Sequence, residues 1–128
     1  MDNMMKEDID NLSIIENRLN KFCNDRDWSK YHIPKNLMMA ITGEVGELSS
    51  LMQFKTDMEI TEEFIFDDTS EKYKEEIADI FIYLIRLCYV MGVDIIEVIN
   101  NKIDINEIKY PIHKSKGNCK KYTEFDNE

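Results

Sequence analysis

Residues 36–55 set two glutamates into an apolar helical pattern, and that conflict limits what the chain can fold into. Leu37, Ile41, Val45, Leu48 and Met52 recur at helical spacing. At about 100° per residue, Glu44 falls inside the arc they sweep and Glu47 on its border. Carboxylates are seldom buried unless paired or bound to a cation, and the local sequence supplies no counter-charge. A second stretch repeats the arrangement. In Glu75-Glu76-Ile77-Ala78-Asp79-Ile80-Phe81-Ile82-Tyr83-Leu84, Glu76 and Asp79 keep the same spacing as Glu44 and Glu47, and Tyr83 follows one turn later on the same side. If the two helices pack antiparallel, the four carboxylates converge on one pocket.

One such pair is ordinary on a solvated helix. Two pairs, each bordering the apolar face of a central helix, point to a metal site. Oxygen-only ligands suit hard cations, Mg²⁺ or Mn²⁺, and a Mg²⁺ held by few carboxylates commonly takes phosphate oxygens as well. Di-iron bundles also use helical carboxylates, but they place a histidine three residues after a glutamate, and neither pair here has one.

The pattern around these stretches predicts an all-α chain of four-helix-bundle type. A first helix spans about 8–24, with Ile9, Leu12, Ile15, Leu19 and Phe22 on one face. Residues 24–34 break the period and carry Trp28, the sole tryptophan, which reads as a loop anchor, a base-stacking group or a surface residue. The second helix starts at Pro34 or Lys35. Gly43 and Gly46 inside it suit close approach by a neighbouring helix or a bound phosphate. Residues 56–70 read as a linker with one helical turn around 62–66. Ser70 caps a third helix that runs to Met91, with Tyr73, Ile77, Ile80, Leu84, Leu87 and Met91 inward and Gly92 as its stop. Asp94 caps a fourth helix that ends before Pro111. The 128 residues form one domain with a core over about 8–111 and an irregular tail over 112–128. Four short helices with broad apolar faces favour an oligomer.

A formal net charge of −10 excludes binding to a nucleic-acid polymer through a basic stripe, yet it is compatible with a small phosphorylated ligand met by metal ions. No apolar run is long enough to span a membrane, and the first residues lack the apolar core of a signal peptide, so the expected location is cytoplasmic. Cys23, Cys88 and Cys119 are odd in number and without a CxxC, which argues against disulfides or thiolate zinc. Cys88 fits a helix core and Cys119 an exposed position. His32 and His113 have no partner at metal-ligand spacing.

Several motifs together resemble a known family. Arg26-Asp27-Trp28 through His32-x-Pro34-x-Asn36-Leu37, then Gly43-Glu44-Val45-Gly46-Glu47-Leu48 and Gln53-Phe54-Lys55, resemble the all-α nucleoside triphosphate pyrophosphatases of the MazG-like group. Glu75-Glu76-x-x-Asp79-x-x-x-Tyr83-Leu84 and Asn101-Lys102-x-Asp104-x-Asn106-x-x-x-Tyr110-Pro111 extend the match. The tail His113-x-Ser115-Lys116-Gly117 with Lys121-Tyr122-Thr123 makes it closest to the dCTP pyrophosphatase branch, over about residues 8–125. The resemblance implies hydrolysis between the α and β phosphates to a monophosphate and pyrophosphate. It implies Mg²⁺ held by Glu44, Glu47, Glu76 and Asp79, with Glu47 as the base that deprotonates water. Lys102 and Tyr110 resemble phosphate-contacting positions, and Trp28, Phe54, Tyr83 and Asn106 resemble positions around base and sugar. The family also implies a homotetramer or dimer. Two positions depart from its pattern: Phe54 stands where close relatives have tryptophan, and Leu19 where some bring a histidine toward the base. The expected activity is dCTP or modified-cytosine pyrophosphohydrolysis. The alternatives are a dUTP-directed or broader pyrophosphatase, and a non-catalytic acidic helical interaction module.

Overall fold

A computed structural model describes residues 3–66 and 70–125, with side chains from residue 11 onward. The described residues form helices joined by loops, without a strand: α1 (Asn3–Asp25), α2 (Pro34–Met52), α3 (Asp57–Phe66), α4 (Ser70–Met91), α5 (Ile95–Lys109) and the short α6 (Ile112–Ser115). Short 3-10 turns lie at Ser29–Tyr31 and Tyr122–Glu124. No described helix is long and apolar enough to cross a membrane. The chain divides into two compact units, Met1–Val93 and Asp94–Glu128.

In the first unit α4 is the central helix, packed chiefly against α2 and also against α1 and α3. The Tyr73 hydroxyl near the start of α4 donates to the Leu51 carbonyl near the end of α2, while Glu76 further along α4 meets Glu44 earlier in α2. The two helices therefore run antiparallel. Proline at the first position of α2 fits its fixed φ to a helix start. Gly92, at φ +67°, ends α4: its N–H bonds the Tyr89 carbonyl and the Val93 N–H reaches back to Cys88 at 2.8 Å.

Residues 57–66 depart from the linker expected there, for they form a full helix rather than a single turn. Its start is favoured by the Thr56 hydroxyl, which accepts from the Glu59 N–H at 3.2 Å, and by Asp57 and Glu59 in the first turn. Tertiary contacts hold it in place. Glu63 accepts from Lys55 Nζ at 2.8 Å and from the buried Tyr73 hydroxyl at 2.9 Å, and Phe64 meets the Tyr73 ring edge-on. Lys55 first, then Tyr73, pull the Glu63 carboxyl below its usual range. Ser70 is the first residue of α4 rather than its cap, and the residue before it lies outside those described. The Ile9 side chain also lies outside them.

Among the described residues the buried apolar side chains are Cys23, Leu37, Ile41 and Tyr73, and one cation, Arg86, is buried with them. Ile15, Val45, Ile77, Leu84 and Met91, which the periodicity places inward, keep over a third of their surface exposed. Cys23 is buried, Cys88 half-buried and Cys119 exposed, all as free thiols.

In the second unit, Asp94 caps α5 by accepting from the Glu97 N–H at 3.1 Å. Pro111 follows the Tyr110 cap. Tyr110 anchors the tail, meeting the rings of Tyr122 and Phe125 edge-on at 6.1 and 5.9 Å. The tail is thus less irregular than its polarity suggests.

Candidate functional site

Antiparallel packing of α2 on α4 brings both acidic pairs to one place. Glu44, Glu47 and Glu76 each present a carboxylate oxygen, and these oxygens lie within 4.8 Å of one another. Asp79, one turn beyond Glu76, adds its negative charge to the fields at Glu47 and Glu76. No described lysine or arginine pairs with any of the four. Glu44 Oε2 and Glu76 Oε2 are buried and have no hydrogen-bond partner.

The crowding raises two of these carboxyls. Glu47 is pushed above its usual range first by the charge of Glu76. Glu76 is pushed up first by the closely placed carboxyl of Glu44, then by desolvation. Orphaned buried oxygens are costly, and a cation among them removes both the repulsion and the missing partner. The all-oxygen donor set therefore fits Mg²⁺ or Mn²⁺.

Beside this cluster is a cavity of about 510 Å³, a volume suited to a small ligand. Asp79 and Tyr83 of α4 line it together with Trp28, and Leu19 lines it from α1. Burial foremost, then the charges of Glu44 and Asp79, raise the Tyr83 hydroxyl and hold it protonated. Trp28 keeps part of its face exposed and packs edge-on against Phe22 at 5.6 Å. It is both a loop anchor and a wall of the cavity.

The remaining sequence candidates are placed differently. Phe54 does not line the cavity; it is 97% exposed, in a left-handed backbone conformation at φ +63° just past the end of α2. Lys102, Asn106 and Tyr110 lie in the second unit, at successive turns of α5 and its cap, with the Tyr110 N–H bonded to the Asn106 carbonyl at 2.8 Å.

The sequence reading missed the basic side of the cavity. Arg86, 2% exposed, donates from Nε to His32 Nδ1 at 3.1 Å and from its NH1 group to Asn20 Oδ1. His32 Nδ1 thus acts as an acceptor, and burial first, then the Arg86 charge, hold the imidazole below its ordinary pKa. One signal was available. Arg86 interrupts the apolar run Leu84-Ile85-Arg86-Leu87-Cys88, seven residues from Asp79 and three from Tyr83 on the same helix face.

Similarity to known proteins gives the chain's family. The model of the MazG-like family matches residues 39–125, a span that contains the three clustered glutamates and Asp79. The chain belongs to the MazG-like family. Within this family it is similar to the dCTP pyrophosphatase 1 of Mus musculus, 38% identical over 105 residues, and to that of Homo sapiens, 39% identical over the same length. These matches cover 82% of the chain and 62% of either relative, so the chain spans under two thirds of their length. A crystal structure of a pyrophosphatase from Archaeoglobus fulgidus superposes with a TM-score of 0.69 at 37% identity, covering 87% of this chain and 95% of that one.

Proposed function

We propose that this MazG-like chain is a divalent-cation-dependent nucleoside triphosphate pyrophosphatase acting on dCTP or a modified cytosine deoxynucleotide. The observation that carries the reading is the cluster of Glu44, Glu47 and Glu76, with its two orphaned buried oxygens, beside the cavity walled by Trp28 and Tyr83. The similarity to proteins named dCTP pyrophosphatase 1 supports the substrate class.

Glu44, Glu47, Glu76 and Asp79 would hold the cation. Bound there, Mg²⁺ or Mn²⁺ supplies neutralisation of the triphosphate and of charge on the departing pyrophosphate. Glu47, the most exposed of the three clustered glutamates, orients a water and takes its proton as the oxygen attacks the α-phosphorus. The α–β bridging bond breaks and its electrons leave with pyrophosphate, so triphosphate and water give monophosphate and pyrophosphate. Trp28 and Tyr83 flank the nucleoside, and Tyr83 brings a protonated hydroxyl to it. Lys102 and Tyr110 would contact phosphates, and Asn106 the sugar or base.

The exposed apolar side chains of the first unit support assembly into a dimer or tetramer. The setting we propose is control of a cytoplasmic nucleotide pool. The deciding experiment is pyrophosphate release from dCTP, 5-methyl-dCTP, dUTP, dTTP, dATP, dGTP and CTP, each with Mg²⁺ and with EDTA. Metal-dependent release led by dCTP and its 5-methyl form is expected. Release led by another base keeps the chemistry and moves the substrate; no release from any nucleotide overturns the enzymatic reading in favour of an acidic interaction module.

A further inference from the structure

Among the described residues, Arg86 is a buried cation without an anionic partner. The partners it meets are neutral: two of its N–H groups go to His32 and Asn20, and its guanidinium carbon stands 5.3 Å from the Tyr89 ring centroid. Among the described residues no carboxylate pairs with it. A guanidinium needed only to tie α1 and the following loop to α4 could be replaced by a neutral donor without the desolvation penalty of a buried charge. Yet this one lines the cavity that also contains Asp79, Tyr83 and Trp28.

Helix geometry gives the cavity a direction. Glu76, Asp79, Tyr83 and Arg86 fall on one face of α4, and at 1.5 Å rise per residue Arg86 lies about 10 Å beyond Asp79. A nucleotide whose phosphates lie at the carboxylates, as in the function proposed above, extends its base past Trp28 and Tyr83 toward the guanidinium. The fork of an arginine matches two adjacent acceptors bidentately, and its donors reject a donor. Cytosine carries such a pair, O2 and N3. Uracil and thymine place an N3–H between two carbonyls.

We infer that Arg86 is a specificity-determining residue of this site: held by Asn20 and His32, it donates to the O2/N3 edge of cytosine and discriminates against uracil and thymine. His32 and Asn20 act as positioning residues that fix the plane of the fork. The inference rests on the pyrophosphatase reading and adds to it a residue outside the carboxylate cluster.

Its test compares kcat and KM for dCTP and dUTP, with Mg²⁺, in the wild-type protein, Arg86→Lys and Asn20→Asp. The lysine keeps the charge and loses the fork. The aspartate keeps Arg86 and gives it a competing carboxylate, so it reports on selectivity even if Arg86→Lys fails to fold. The expected result is a wild-type preference for dCTP and a fall in the dCTP-to-dUTP ratio of kcat/KM by roughly tenfold to hundredfold in Arg86→Lys. That fall should reside mainly in the KM for dCTP, with a smaller fall in the same direction for Asn20→Asp. An unchanged ratio in the variants, with both substrates weakened together, overturns the inference and leaves Arg86 as a structural tie. A wild-type preference for dUTP overturns it while leaving the pyrophosphatase reading standing. Absence of turnover with every nucleoside triphosphate overturns that reading and this inference with it.

Discussion

The two ends of one face of α4 are electrostatic opposites. At one end Glu76 and Asp79 meet Glu44 and Glu47, and negative charge is crowded with two buried oxygens left without donors. At the other end the buried cation Arg86 is met, among the described residues, by the neutral acceptors of His32 and Asn20 and the ring of Tyr89. Among the described residues neither end meets an opposite charge, and the difference between them gives the cavity its polarity. A ligand that carries anionic oxygens bridged by a cation at one end and paired neutral acceptors at the other satisfies both.

The largest expected effect breaks the acidic end. Glu47→Gln removes a charge at nearly constant volume and should lower turnover by about a hundredfold or more while leaving the helical content unchanged. Retained pyrophosphate release would remove Glu47 from the role of ligand or base. Asp79→Asn should raise the Mg²⁺ concentration needed for half-maximal rate. Next in size is ligand linkage. Mg²⁺ together with a non-hydrolysable triphosphate should raise the melting temperature by several degrees, because a ligand at about 100 times its Kd stabilises by about 2.7 kcal/mol. A chain that serves only as an acidic scaffold predicts no such rise.

Much of this comparison was legible in the sequence, although unevenly. The carboxylates were readable because each pair sits within one helical turn, against an apolar stripe where charge is out of place. Helices α2, α4 and α5 followed from their periodicity, and their Pro34, Gly92 and Asp94 signals mark local backbone chemistry. The basic end was not readable as a network. Arg86 meets partners 54 and 66 positions away in the chain, and only tertiary packing brings them together. Helix α3 was missed for a related reason: its acidic residues blur the apolar period, and Glu63 is fixed by Lys55 and Tyr73 from outside the helix.

Smaller experiments sharpen the contrast through the metal-free protein. Glu76→Gln relieves like-charge repulsion and should raise its melting temperature, whereas Arg86→Met strands the His32 and Asn20 acceptors and should destabilise by about 1–3 kcal/mol. Thermal melts without divalent cations read both signs; changes in the same direction would dissolve the comparison. The smallest effect is pH-dependent and confined to the basic end. Because the folded-state pKa of His32 lies below its ordinary value, the unfolded chain binds the proton more readily. The contribution to stability is present above the ordinary histidine pKa and is lost as pH falls through the lowered one. A His32→Gln variant should show a shallower loss of melting temperature on acidification across that window.

Gly43 and Gly46 bear on how far this site can be altered. Among the described residues, a Cβ built at either glycine meets nothing within 4 Å, so no helix crossing inside the chain requires them. The outer flank of α2 beside Glu44 can therefore accept new methyl groups without disturbing Leu37 or Ile41. Fold stability and carboxylate geometry are in this sense separately adjustable quantities: alanine at both positions should tighten the scaffold by about 1 kcal/mol per site while the acidic cluster keeps its spacing.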